Sequence, residues 1–429
     1  MERTKILNLH SFYNGKIEII PKCSVKGIDD FSVWYTPGVA EPCKKIKNKR
    51  ELVYKYTNKA NSVAIISDGS RVLGLGNIGA EASLPVMEGK ALLFKYLGGV
   101  DAFPVCINTQ NTDDIIQCVK WITPSFGGIN LEDIESPKCF SILERLRKEC
   151  EIPVWHDDQQ GTAAVTLSAL LNALKIVKKK REKVRILMLG AGAANIKITH
   201  LIIQAGFNAD NIIVYDSKGS LNKNRNDLNS QKKVLANITN PKNFTGDIKD
   251  AISGCDILIA LSKSGGDVVK KEWIKRMAKD AIVFACANPI PEIWPDDAKQ
   301  AGARIVATGR SDFPNQVNNS LGFPAIFRGV LDVEAVVITD QMCIRASEAI
   351  ANFAQKKGIS EDYIIPAMDE TGVFIEEAVA VATQAIKEKV AKIKLSKNKL
   401  YEKVSYRIKR AQKQLKILMK SGIIRNPRR

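Results

Sequence analysis

At 429 residues and 45% hydrophobic side chains, the chain is too long for one ordinary domain and apolar enough to bury two cores. No stretch reaches the roughly 18 predominantly apolar residues of a membrane helix, and residues 1–13 lack the basic-then-apolar order of a secretory signal, so a soluble, cytoplasmic protein is expected. The formal net charge of +18 suggests nucleic acid until it is located: residues 387–429 hold 16 Lys and Arg against two acidic residues, a local +14 that leaves +4 for the rest. Nine Cys run from Cys23 to Cys343 without a Cys-x-x-Cys pair, which argues against a zinc site or disulfide framework and for reduced, mostly buried thiols.

In chain order, residues before about 155 form a unit punctuated by Gly and Pro that carries the first of two acidic clusters. Glu132 and Asp133 lie in Gly-Gly-Ile-Asn-Leu-Glu-Asp-Ile, and Asp157 and Asp158 lie in His-Asp-Asp-Gln-Gln-Gly-Thr. Both clusters adjoin apolar segments, which places carboxylates at the edge of a core where unpaired charge is costly. A bound cation offsets that cost, and hard oxygen ligands without Cys favour magnesium or manganese over zinc. His156 reads as a structural or supporting residue, because the carboxylates already supply enough ligands.

Val165, Leu167, Leu170, Leu171, Leu174 and Val177 then follow helical spacing, and the basic run Lys178–Arg181 ends a helix that joins two units. From 184 to 310, short apolar runs alternate with helix-like stretches: Val184–Leu189, Asn211–Tyr215, Asp256–Ala260, Ala281–Ala285 and Arg304–Ala307. Continuously apolar short strands separated by helices indicate a doubly wound parallel sheet covered on both faces.

The first of these strands runs into Gly190-Ala191-Gly192-Ala193-Ala194-Asn195, followed by a helix from Ile196 to Ala205 that Gly206 ends. This is close to a dinucleotide fingerprint: Gly190 permits the tight turn, Gly192 lets the backbone approach a pyrophosphate, and the helix N-terminus supplies amide donors. Asn195 replaces the usual third glycine. Asp216, closing the next strand, suits a ribose hydroxyl, whereas Lys218 suits the extra phosphate of NADP, so the cofactor is read as NAD or NADP.

Beyond residue 386, Leu400, Val404, Ile408, Ala411, Leu415 and Leu418 recur at steps of three and four with Lys and Arg between them, a basic amphipathic helix stopping near Ser421-Gly422. Two uses are open for it: salt-sensitive contact with nucleic acid or an anionic surface, or a cover for the chain itself or a partner subunit.

Ordered motifs between residues 30 and 330 sharpen the reading. They are Tyr35-Thr-Pro-Gly-Val-Ala-Glu-Pro42, Ser67-Asp-Gly-Ser-Arg-Val-Leu-Gly-Leu-Gly-Asn-Ile-Gly79, Pro85-Val-Met-Glu-Gly-Lys90, the two acidic clusters, the loop at Gly190, Ala287-Asn-Pro289 and Phe313-Pro-Asn-Gln-Val-Asn-Asn319. Together they resemble the malic enzymes, in a compact form similar to the short prokaryotic branch. The resemblance implies an α/β fold of two domains with a basic helical tail: a substrate and metal domain at 1–158, a Rossmann-like NAD(P)-binding domain at 159–386, and the tail at 387–429.

It also implies the chemistry, the oxidative decarboxylation of (S)-malate to pyruvate and carbon dioxide with reduction of NAD or NADP, in a homodimer. In that chemistry Lys90 is the base, its pKa lowered by burial and a cation; Glu132, Asp133 and Asp158 hold the metal; and Asp157 orients Lys90 or a ligand. Tyr35 is the general acid, Arg71 grips a substrate carboxylate, and Asn288, Asn318 and Asn319 hydrogen-bond the substrate, with Asn288 also beside the nucleotide. A malolactic variant, releasing lactate, uses the same machinery.

Overall fold

In the computed structural model of the chain, residues 3–427 are described. The N-terminal unit holds a four-stranded, all-parallel sheet in the order β2-β1-β3-β4, with β1 Ser62–Ser67, β2 Asp101–Cys106, β3 Gly128–Leu131 and β4 Val154–His156. Parallel neighbours require crossovers, which the helices Ala80–Gly98, Thr112–Ile122 and Lys138–Glu149 provide. Every residue of β1 is buried, as a run such as Val63-Ala-Ile-Ile66 demands. Pro104 sits in β2, an edge strand, where its missing N–H costs no ladder bond.

The five strands expected after residue 184 are present as β5 Ile186–Leu189, β6 Ile212–Asp216, β8 Ile257–Ala260, β9 Ala281–Ala285 and β10 Ala303–Thr308, with a short antiparallel β7 at Gly219–Ser220 added at the edge. The order β10-β9-β8-β5-β6-β7 is doubly wound about β5. The chain turns from one side of the sheet to the other there, so the crevice at the carboxyl end of β5 is the expected ligand position.

The joining helix spans Thr162–Val177 and follows a wide π-type turn at Asp157–Gly161. One segment meets the length and composition of a membrane helix, yet the fold uses it as a core helix. Asp157–Val177 is long and apolar enough by length and composition, but 78% of its most apolar window is buried inside the protein, as befits a core helix. The thiols also depart from expectation: four of nine are buried, three are half-buried, and Cys23 and Cys43 are exposed.

After β10 the chain returns to the N-terminal unit. Helix Phe323–Asp332 packs on Ala80–Gly98, with the Phe94 ring 4.6 Å from that of Phe323 and 5.3 Å from that of Phe327. Lys387 closes the helix Gly372–Lys387, and the tail helix Lys397–Lys420 lies across both Gly372–Lys387 and Ala80–Gly98, burying Leu400, Val404, Ile408 and Ala411 and half-burying Leu415 and Leu418. It approaches closely enough that a side chain on Gly99 would come within 2.7 Å of the Arg407 carbonyl oxygen. Its Lys403 and Arg407 reach Asp332 at 3.5 and 3.4 Å, joining the fully buried pair that Asp332 makes with Arg328 at 2.9 Å. Part of the tail's positive charge therefore closes an internal network, and its apolar face covers its own chain.

Candidate active site

Strand β3 ends at Leu131, and the chain breaks from extended geometry at Asp133, whose φ is +55°. Consecutive side chains of a strand point to opposite faces, so this left-handed step is what lets Glu132 and Asp133 turn toward one place. Asp158 arrives from the turn after β4, and its Oδ2 accepts a hydrogen bond from the Asp133 backbone N–H at 2.9 Å. The ligand oxygens of Glu132, Asp133 and Asp158 all lie within 4.8 Å of one another.

Lys90, on the helix Ala80–Gly98, extends its ammonium into this cluster. Nζ stands 3.0 Å from Glu132 Oε1, donates to Asp157 Oδ2, and lies 4.5 Å from the centre of the Phe323 ring. Asp157 is fully buried and is held from behind by Trp155 Nε1 at 3.1 Å. A side chain at Gly161 would meet Asp157 Oδ1 at 2.0 Å, so the glycine makes the carboxylate's position possible. Asn130 donates to Glu132 Oε2 at 3.0 Å.

Electrostatics follow from burial. Burial, then the neighbouring Asp158, pushes the Asp133 carboxyl up to about 8. Burial also raises Glu132 well above the carboxylate range, opposed by Lys90 and reinforced by the other carboxylates, and it raises Asp157 against the pull of Lys90. For Lys90 burial favours the neutral amine, but Asp157 and Glu132 together outweigh it and hold the ammonium charged. The expected lowering of Lys90 by its surroundings is thus reversed by the protein's own groups. Burial keeps His156 neutral; its Nδ1 is 3.6 Å from Asp158 Oδ2, too far for a hydrogen bond. Asp133 Oδ2 is buried without a hydrogen-bond partner. A buried, mutually repelling oxygen cluster with an unpartnered atom fits a hard divalent cation.

At the carboxyl end of β5, Gly190 has φ +102°, and a side chain there would meet the Leu261 carbonyl oxygen at 2.3 Å. Gly192 precedes helix Ala193–Gln204 and is open on its side-chain face, which suits close approach of a pyrophosphate to the helix N-terminus. Asn195 is turned inward, donating to the Leu189 and Gly190 carbonyls at 2.9 and 3.0 Å. Its side chain braces the loop rather than facing a nucleotide. Asp216 is gripped by Arg225 at 2.8 and 3.2 Å and by Lys232 at 2.7 Å, while Lys218 pairs with Asp227 at 3.1 Å. Arg225 and Lys232 were missed by motif reasoning; the basic residues after β6 were their only signal.

Two family models match the chain. Residues 14–147 match the family model "Malic enzyme, N-terminal domain", and residues 159–390 match "Malic enzyme, NAD binding domain". The chain belongs to the malic enzyme family. Among relatives, it is similar to a bifunctional malic/malolactic enzyme of Bacillus subtilis, 50% identical over 94% of this chain and 97% of that one. It is also similar to an NAD-dependent malic enzyme of Geobacillus stearothermophilus, 48% identical over 91% of this chain and 80% of that one. The crystal structure of the Entamoeba histolytica malic enzyme superposes with a TM-score of 0.96 at 49% identity, covering 98% of this chain and 89% of that one.

As a malic enzyme site, the constellation is uneven in what it brings together. Lys90, Glu132, Asp133, Asp157 and Asp158 converge. Arg71 borders them through its backbone N–H, which donates to the Asp133 carbonyl at 2.9 Å, and its guanidinium has no hydrogen-bond or ion-pair partner among the described residues. The Asn pair divides: Asn318 caps the next turn by accepting from the Ser320 N–H at 3.0 Å, whereas Asn319 has its Cβ 3.2 Å from where a Gly161 side chain would stand, beside Asp157. Asn288 is exposed after β9, near Gly74 of the loop that follows Arg71. Tyr35 is 71% exposed and joins none of these groups by a hydrogen bond. Sequence reasoning also missed Asn130, Trp155 and Phe323, which hold Glu132, Asp157 and Lys90, and Glu292, whose carboxylate ties the Ser262 and Ala287 N–H groups beside the nucleotide crevice.

Proposed function

We propose that the chain oxidatively decarboxylates (S)-malate to pyruvate and carbon dioxide with NAD or NADP as oxidant and magnesium or manganese as cofactor. The observation that carries this is Lys90 clamped between Glu132 and Asp157 at the edge of three converging carboxylates. Glu132, Asp133 and Asp158 would hold the cation, and the loop Gly190–Asn195 with Asp216 would hold the nucleotide. When bound, NAD(P) supplies the hydride acceptor, and the cation supplies Lewis acidity and the positive charge that offsets the carboxylates around Lys90.

Lys90 takes the C2 hydroxyl proton as the C2 hydride leaves. Asp157 fixes the amine and stabilises the ammonium that results. Arg71 and Asn319 orient the substrate carboxylates, so that the C3–C4 bond breaks with its electrons moving toward the C2 carbonyl as carbon dioxide departs. Tyr35 then protonates C3. The division of labour broadly follows the chain: the metal residues, Lys90 and Arg71 lie within 1–158, the nucleotide residues and Asn319 within 159–386, and the tail at 387–429 packs on helices of both. A cytoplasmic homodimer is the assembly this reading takes.

The similarity to a bifunctional malic/malolactic enzyme supports a second reading, in which the hydride returns to pyruvate and lactate leaves. Assay of the organic product with malate, either nucleotide and manganese tests both. Pyruvate matching reduced nucleotide supports the first, lactate without net reduction supports the second, and neither product overturns both.

A further inference from the structure

Away from the Lys90 cluster, the chain forms a cavity of about 330 Å³, within the range that small ligands occupy. It lies at the amino end of the N-terminal sheet, where β1 and β2 begin at the paired residues Ser62 and Asp101. The metal residues follow the carboxyl ends of β3 and β4, at the opposite edge of the same parallel sheet. Stretches far apart in sequence wall the cavity: Lys22, the residues just before β1, the turn at Gly99 that ends helix Ala80–Gly98, and the tail helix Lys397–Lys420.

Its charge is one-sided. Lys22, Lys95, Arg407 and Arg410 line it against a single carboxylate, Asp101. Asp101 is already engaged, paired with Lys95 at 2.7 Å and Lys22 at 3.4 Å and accepting from Asn61 at 2.9 Å. Asp332, which reaches Arg407 at 3.4 Å, is held by the fully buried Arg328 at 2.9 Å. The crowding shows in Lys22: burial holds its amine below the ordinary value, and Lys95 and Arg407 push it further down against the pull of Asp101. Like charges gathered in a concave, partly desolvated place repel one another and focus their field on an ion of opposite sign.

Packing does not account for the arrangement. The tail helix anchors through Leu400, Val404, Ile408 and Ala411, and its Lys403 and Arg407 meet Asp332. Arg410 serves neither purpose. It has no ion pair or hydrogen bond among the described residues, yet it lines the cavity, and Gln414, one turn further along the same helix and equally unpartnered, adds amide donors. Shape then decides the size of the partner. A duplex or a lipid surface asks for a broad exposed face, whereas a pocket of this volume takes a small molecule.

The geometry points to a binding site for a small polyanion, one bearing phosphate or carboxylate groups, at the junction of the tail helix and the N-terminal sheet. Arg407 and Arg410 supply guanidinium forks, and Lys22 and Lys95 supply point charges. Because these cations come from both the tail and the body, the ligand clamps one to the other.

Titration calorimetry with pyrophosphate and with citrate tests the site. The full chain is used with its nucleotide bound and no added divalent cation, so that neither chelation nor an empty nucleotide loop contributes heat. Saturable binding of at least one probe at one site per chain is expected, weakening as salt rises, and the tighter probe tells phosphate from carboxylate chemistry. Arg410→Glu breaks no contact of the fold. It should keep the wild-type Tm and lower the affinity by about ten- to a hundredfold, the worth of one charge-assisted hydrogen bond. Lys22→Met, which leaves Asp101 paired with Lys95, should weaken binding in the same direction. No saturable binding of either probe would overturn the proposal. So would binding that both variants leave unchanged, which would put the anion in the catalytic crevice instead.

Discussion

The ammonium of Lys90 stands 3.0 Å from the carboxylate of Glu132, a group that burial pushes well above its usual proton affinity. Each residue thus keeps the other's charge tolerable inside the protein. Removing one partner of such a buried pair leaves a charge with no compensation.

Lys90→Met removes the base and the counter-charge together. Turnover of malate is expected to fall by about 10² to 10⁴, the range a positioned acid or base contributes. Thermal unfolding should show a loss of about 3–5 kcal/mol, the usual cost of stranding one member of a buried pair. Retained stability would mean that Asp157 and Glu132 are neutral without Lys90.

Divalent manganese should stabilise the wild-type chain, by about 2.7 kcal/mol at a concentration one hundred times Kd. Asp133→Asn, which takes away a carboxylate whose Oδ2 has no hydrogen-bond partner, should abolish most of the manganese-induced rise in Tm. An undiminished rise in that variant would put the cation elsewhere.

Glu377 is fully buried on helix Gly372–Lys387, neither of its oxygens has a hydrogen-bond partner, and burial raises its pKa well above 4.5. The folded chain therefore keeps the proton that the unfolded chain gives up as pH climbs past 4.5, and stability falls with rising pH through that interval, by at most about 1.4 kcal/mol per pH unit. Glu377→Gln, which cannot ionise, should match wild type near pH 4 and exceed it near pH 8. Equal Tm values at both pH values would show that Glu377 is compensated in the fold.

The tail helix should behave as structure. Deleting residues 397–429 removes Leu400, Val404, Ile408 and Ala411, uncovers the faces of Ala80–Gly98 and Gly372–Lys387 on which that helix packs, and strips Lys403 and Arg407 from Asp332, so loss of solubility or a large fall in Tm is expected. Changing the exposed Lys409 and Lys413 to Gln should shift stability by no more than about 0.5 kcal/mol. A stable, soluble truncation would contradict the packing role.

Much of this was legible before any coordinates. The five strands after residue 184 announced themselves because a doubly covered parallel sheet leaves no polar face to blur the pattern, and Gly190 and Gly192 sit where the turn requires them. The N-terminal sheet was not seen, since β3 and β4 are only four and three residues long and their register is fixed by partners far along the chain. Supporting residues such as Trp155, Asn130 and Phe323 carry no motif; they matter through contacts that only folding creates. The motif around Lys90 marks the residue, but a sequence does not count how many carboxylates gather around one amine, and without a cation those carboxylates hold it charged. The tail's period gave its helix and apolar face, whereas its binding surface on Ala80–Gly98 lies about three hundred residues away.

The most direct test of the account follows the hydrogen on C2. The purified chain is incubated with manganese, NAD or NADP, and (S)-malate deuterated at C2, and the label is located by mass spectrometry. Transfer of deuterium to the reduced nicotinamide, with unlabelled pyruvate and carbon dioxide in equal amounts, is the predicted result. Malate consumed with no label reaching the nicotinamide or lactate, or malate untouched with both nucleotides, would contradict it.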